Sequence, residues 1–280
     1  MKYFPVALMA LAAPLLIAAL SWAGTAALTV AVCALCVVVA VGWPQLMGVT
    51  ARKSLSMVIL AAGVIAAVGA ALVAKTENLF FWSSVALAFG VMTVFVIQVL
   101  RGTGRPHRLE STLGACTGVV ITTTAAGWVA GLRYPAELAG TNGGDVLGLL
   151  HVRGLLHYED WTVLNVTGPG GELSVVALAA SALFAGSLVA CLPLREAIVL
   201  PATVVVSTAA ALTIAILWGE LTLLFAGVLG VAAGVLLACF RRFLVQHGAP
   251  GSVLSGMAVG AAPVASMGAL VYFTERLLFV

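Results

Sequence analysis

A chain of 280 residues that is 62% hydrophobic and 8% charged, with a mean hydropathy of +1.18, cannot be a water-soluble domain, because most of its surface would have no dry place to go. The formal net charge of +3 is not gathered into a basic stripe interleaved with aromatics, so a nucleic-acid partner is unsupported. The composition predicts an all-α fold, a polytopic transmembrane helical bundle forming a single integral membrane domain over residues 1–280.

A span needs roughly 20 apolar residues to cross about 30 Å of hydrocarbon. Nine runs meet that requirement, at about 5 to 22, 25 to 43, 54 to 74, 79 to 100, 112 to 131, 173 to 192, 197 to 217, 220 to 240 and 252 to 273. The first run, with Lys2 before it and Ser21-Trp22-Ala23 at its end, resembles a secretory signal cleaved after Ala23. Its n-region holds a single lysine and its apolar stretch is long for a signal, so a retained first helix is expected. The second run carries Cys33 and Cys36 as a C-x-x-C in mid-helix, without an accessible helix start to stabilise a thiolate and without two further zinc ligands. These two, with Cys116, Cys191 and Cys239, read as packing cysteines.

Polar content inside the runs is hydroxyls and one amide, among them Ser83, Ser84, Gln98, Thr122 to Thr124, Ser207, Thr208 and Thr213. Their interiors hold no Asp, Glu, Lys, Arg or His, with Glu196 and Glu220 at run ends, which disfavours a proton-coupled carrier and leaves open a hydroxyl-lined path for a neutral solute. The three threonines read as local bonds to carbonyls one turn back. The connection at 132–172 is expected outside the cell. It alternates charged residues with Val146, Leu147, Leu149, Leu150, Val152, Leu155, Leu156 and Trp161, a pattern suited to lying on the membrane interface. Its His151, His157, Glu159 and Asp160 match no standard metal-ligand spacing. No residue is assigned a catalytic, cofactor-binding or metal-ligating role, and no cofactor is expected. Gly230 and Gly234 in the eighth run, and Gly256 and Gly260 in the ninth, have the G-x-x-x-G spacing that lets helix backbones approach in lipid.

Lys and Arg resist translocation, so their loop distribution predicts orientation. Lys2, Arg52, Lys53, Arg101, Arg105, Arg108, Arg195, Arg241 and Arg242 fall on one side, against Lys75, Arg133, Arg153 and Arg276 on the other. Placing the larger set inside puts the N-terminus in the cytoplasm and the C-terminus outside. With Glu110 and Glu196 the inner face is net +7, and with the other eight acids the outer face is net −4. Arg101, Arg105, Arg108, Arg241 and Arg242 are candidate contacts for anionic lipids of the inner leaflet. Trp22, Trp43, Trp82, Trp128 and Trp218 fall near run ends, as headgroup-level indoles would.

The stretch from Gly227 to Phe240, then Arg241-Arg242, Gly248-Ala249-Pro250-Gly251 and Ala261-Ala262-Pro263-Val264, resembles the layout of the CDP-diacylglycerol synthase (phosphatidate cytidylyltransferase) family. That family carries its chemistry in the turn between the last two helices, as basic pairs followed by metal-bound aspartates. Only Arg241-Arg242 corresponds in kind. Between Arg242 and Phe273 this chain has no Asp or Glu, so the resemblance implies a degenerate lipid nucleotidyltransferase-like protein lacking the carboxylates that would hold Mg²⁺. More broadly, Gly42-Trp43-Pro44 and the Arg105 to Glu110 segment resemble multi-pass membrane proteins of high-GC actinobacteria, a likeness that implies no activity. The expectation is a plasma-membrane protein of non-catalytic accessory or scaffold type in cell-envelope or lipid processes, in contact with the bilayer and with a membrane-protein partner. A permease for a small neutral or lipidic solute is the alternative, and the degenerate enzyme the third reading.

Overall fold

The computed structural model describes residues 3–48, 52–75, 78–100, 108–140, 175–218 and 223–279. These form ten α-helices, and no strand occurs among the described residues: α1 Phe4–Trp22, α2 Thr25–Leu46, α3 Arg52–Leu72, α4 Phe81–Leu100, α5 Arg108–Thr124, α6 Ala126–Gly140, α7 Val175–Ala190, α8 Glu196–Trp218, α9 Leu223–His247 and α10 Val253–Phe279. Helices α5 and α6 adjoin as one apolar stretch, Leu109–Tyr134, and the described residues hold eight stretches long and apolar enough to cross a membrane. Helix α7, at 16 residues, is apolar but shorter. The described residues form an all-helical, multi-pass membrane bundle.

Local chemistry sets the ends. Pro5 sits in the first turn of α1, where a missing N–H costs nothing. Gly24, at φ 100°, reverses the chain between α1 and α2 in a conformation that a side chain would strain. Ser252 and Ser255 exchange bonds at the start of α10: Ser255 N–H donates to Ser252 Oγ (3.2 Å) and Ser252 N–H to Ser255 Oγ (3.1 Å), a reciprocal cap. At Ala125 the helix breaks after three threonines whose hydroxyls bond back to carbonyls of the preceding turn, which bends a helix.

Several boundaries differ from the apolar runs. Helix α2 continues through Pro44 to Leu46, α9 runs past Arg241-Arg242 to His247, and α10 reaches Phe279. Helix α6 takes in residues 132–140, part of the connection expected at 132–172. The rest of that connection, with Asp145, His151, Arg153, His157, Glu159, Asp160 and Asn165, lies outside the described residues. The apolar runs end where charges begin, but a helix continues wherever packing and backbone bonds still favour it.

The stretch through α5 and α6 and helix α10 are each 72% buried, against 22% for α4 and α8, so the former pair is the centre of the bundle. Phe89, Met92 and Phe95 of α4 and Ile198, Val205 and Ile216 of α8 stand exposed on the bundle surface, a display that suits acyl chains and not water. Seams between helices are made by small residues. Gly127 of α6 meets Gly268 of α10 backbone to backbone, Gly42 of α2 lies on the Leu254 carbonyl, and Gly260 lies on the Val6 carbonyl of α1. A Cβ on Gly230 or Gly234 would fall 2.6 Å or 2.5 Å from the Cα of Thr208 or Val204 on α8, and one on Gly256 would fall 3.2 Å from Pro5 Cβ. The two glycine pairs therefore face different neighbours, α8 and α1.

Arg133 on α6 bonds across to the last turn of α3, its Nη1 donating to Ala70 O (2.7 Å) and Ala71 O (3.0 Å). Those carbonyls lie where a helix runs out of its own donors, and a cation there also meets the negative end of the helix dipole. Arg133→Gln is expected to cost about 1.5–3 kcal/mol, read as a lowered unfolding midpoint in detergent, with Arg133→Lys in between; an unchanged midpoint would mean that water serves those carbonyls equally well.

Candidate functional site

One end of the bundle gathers the starts of α1, α8 and α10 and the ends of α2, α7 and α9. It is the end that carries Arg195, Arg241 and Arg242. Trp43 of α2 stacks on Phe243 of α9 (centroids 5.8 Å, interplanar angle 15°) and meets Phe240 edge-on (6.4 Å). That contact fixes the rotation of α9 and turns Arg241 toward α7. Its Nη1 donates to the carbonyls of Ala190 and Leu192, and its Nη2 reaches Leu194 O at 3.4 Å. Nε lies 3.8 Å from Glu196 Oε1. Arg241 is thus the C-terminal cap of α7 and the clasp of the α7–α8 link. Arg242 and Arg195 beside it are exposed.

Beneath this clasp lies a cavity of about 380 Å³ between α1, α7, α9 and α10. Small residues on the facing helices, Ala7 and Ala10 of α1, Ala190 of α7 and Gly260 of α10, leave the space. The walls are apolar, with Leu237, Phe240, Val259 and Pro263 inside and exposed Tyr3, Leu192 and Val245 at the mouth. Ser187 is the polar exception in the floor. It is fully buried and its Oγ has no partner, whereas Ser181, Thr203 and Thr208 each bond back to their own helix at 2.8 Å. Ser207 Oγ is also unpartnered, but it lies under Gly186 and does not line the cavity.

The hydroxyls of Ser83, Thr122, Thr123, Thr124, Thr208 and Thr213 are committed to backbone carbonyls. Thr122 Oγ1 donates among Ile59 O (3.0 Å), Gly118 O and Val119 O, Thr123 to Val119 O (2.8 Å) and Thr124 to Val120 O (2.9 Å). Ser83 donates to Thr123 O (2.8 Å), Cys36 Sγ to Thr122 O (3.6 Å), and Gln98 to Ser111 Oγ (3.0 Å). These bonds tie α2, α3 and α4 to α5. The side chains of Arg101, Arg105 and Arg108 lie outside the described residues. Among the described residues, no three His, Cys, Asp or Glu side chains stand together as metal ligands.

Two tryptophans depart from the expected headgroup position. Trp43 and Trp128 are buried, their Nε1 donating to Gly114 O (3.0 Å) and Val264 O (2.7 Å), whereas Trp22 and Trp82 are exposed. No family model, curated protein or solved structure matches the chain. The likeness to CDP-diacylglycerol synthases therefore rests on its sequence stretch alone, and within that stretch Arg241-Arg242 is part of a helix and not of a turn.

A second unusual group sits toward the opposite end. Glu275 of α10 is fully buried, and neither carboxylate oxygen has a partner. Around it are Gly131 and Tyr134 of α6 and Val271, Tyr272 and Arg276 of its own helix; Arg276 Nη1 donates to Tyr272 Oη at 3.3 Å. The ninth run was expected to end near residue 273, which left Glu275 outside the bundle. Helical spacing was the available signal. Val264, Gly268, Val271 and Glu275 follow at steps of four, three and four, so one stripe faces α6 throughout.

Proposed function

We propose that this is a plasma-membrane protein of nine spans, with its N-terminus and basic end in the cytoplasm and its C-terminus outside, acting as a non-catalytic accessory or scaffold in cell-envelope or lipid processes. The observation that carries this reading is how the bundle uses its polar groups. Thr122, Thr123, Ser83, Trp43, Trp128, Arg133 and Arg241 all donate to backbone carbonyls and so serve to hold helices together. In this reading α7, at about 24 Å from its 16 residues, crosses with the bilayer thinned around it. Arg101, Arg105, Arg108, Arg241 and Arg242 meet the anionic inner leaflet. Affinity purification from the native membrane in mild detergent, with mass spectrometry of retained proteins, tests it. A stoichiometric membrane-protein partner is the expected result, and a chain that always purifies without one would contradict it.

Glu275 favours a second reading, as a permease for a small neutral or lipidic solute. A carboxyl buried without a hydrogen-bond partner costs stability, and such a group inside a membrane protein points to use. Glu275→Met, apolar and of similar volume, is expected to stabilise the protein by about 1–3 kcal/mol, seen as a raised unfolding midpoint. A lowered midpoint would show that the carboxyl has a structural role, which would remove the ground for this reading.

A further inference from the structure

The unpartnered Ser187 hydroxyl and the Arg241 side chain both line the apolar cavity, and the exposed Arg195 and Arg242 lie next in the chain to Glu196 and Arg241. The cavity lies between membrane helices, so the amphiphile at hand is a lipid, and 380 Å³ falls within the range of small-ligand pockets while being too small for a folded partner segment. Arg241 lines the mouth, with its Nε 3.8 Å from Glu196 Oε1, and its chain neighbour Arg242 and the Arg195 that precedes Glu196 are exposed, so these four residues carry a net +2. Arg241 caps Ala190 while Ser187 lies three residues earlier on the same helix, so the basic rim and the free hydroxyl are about one turn, ~5 Å, apart along α7. In a glycerophospholipid the phosphate and the ester carbonyls are separated in the same way, by the glycerol.

We propose that the cavity holds one acyl chain of an anionic glycerophospholipid, with the Ser187 O–H donating to an ester carbonyl and Arg242 and Arg195 facing the phosphate. The acyl chain lies against Ala10, Leu237 and Val259, and the bound lipid fills the space that α1, α7, α9 and α10 leave open. The unpartnered hydroxyl supplies a reason for one lipid to be held in place where other acyl chains on the bundle surface exchange freely. This rests on the reading that the basic end meets an anionic leaflet, and the test separates the two.

The full-length protein, delipidated in mild detergent and titrated with phosphatidylglycerol or phosphatidylcholine, is examined by native mass spectrometry. One phosphatidylglycerol retained about tenfold more tightly than phosphatidylcholine is expected. Ala10→Leu on α1 and Ala190→Leu on α7 each fill the cavity from a different wall, and each is expected to abolish retention while keeping the wild-type elution profile and unfolding midpoint in the absence of lipid. Ser187→Ala should weaken retention several-fold. Equal retention of both lipids would overturn the proposal. So would a phosphatidylglycerol preference that survives both filling variants and is lost only in Arg242→Gln, although that outcome would leave the anionic-leaflet reading standing.

Discussion

Gly127→Leu is expected to leave no folded protein that survives extraction in mild detergent, and Gly127→Ala to lower the unfolding midpoint markedly. A Cβ on Gly127 would run into the Gly268 carbonyl group and lie 2.5 Å from Ala269 N, and one on Gly268 would fall 2.8 Å from Thr124 O and 2.9 Å from Trp128 N. Both surfaces are backbone, so no rotamer change relieves the clash and α6 must move away from α10. That movement also pulls the Trp128 indole from Val264 O, to which it now donates at 2.7 Å. Overpacking a tight core costs about 1–3 kcal/mol when side chains can yield, and here the cost should lie at or above that limit. Gly227 is the internal control. A Cβ there would meet only Leu212 Cδ2 at 3.8 Å, so Gly227→Ala should be neutral or gain up to about 1 kcal/mol in helix propensity.

Trp43→Ala should be the next most damaging change. Its ring is 2% exposed, is packed against Phe240 and Phe243 of α9, and bonds Gly114 of α5, so one side chain holds three helices at the basic end. Removing a large buried aromatic costs about 3–5 kcal/mol, and in lipid the packing part of that cost remains even though the hydrophobic drive between helices is absent. Trp43→Phe keeps most of the contact and loses the hydrogen bond, a difference of about 1 kcal/mol. Thermal unfolding of the two variants in one detergent separates the terms. Equal losses would mean that the bond to Gly114, not the packing, carries the effect.

The helices were legible because crossing a bilayer imposes length and apolarity directly on the sequence, and each of the nine runs has a helix among α1 to α10, with the fifth run divided between α5 and α6. Their ends were less so. Pro44 and Arg241-Arg242 look like stops, yet α2 and α9 pass through them, because Trp43 and Phe243 on either side are locked together. Tryptophan position alone did not separate an indole at the headgroups from one inside the bundle. Trp22 and Trp43 look alike in sequence, and the structure distinguishes them by leaving Trp22 exposed and burying Trp43 with its indole N–H on Gly114 O. The cavity had no sequence signal, since it arises where alanines and a glycine on three different helices face one another. Glu275 did have one, the stripe shared with Val264, Gly268 and Val271, which was hidden because the apolar run stops before it.

Helix α7 decides the topology, since eight crossings return the chain to its starting side and nine do not. Fusions at the C-terminus of the full chain, one to a phosphatase active only outside the cytoplasm and one to a fluorescent protein that folds only inside it, test this directly. A bright phosphatase and a dark fluorescent fusion are the predicted result for nine spans with the basic end in the cytoplasm. The reverse would place the C-terminus in the cytoplasm and contradict it.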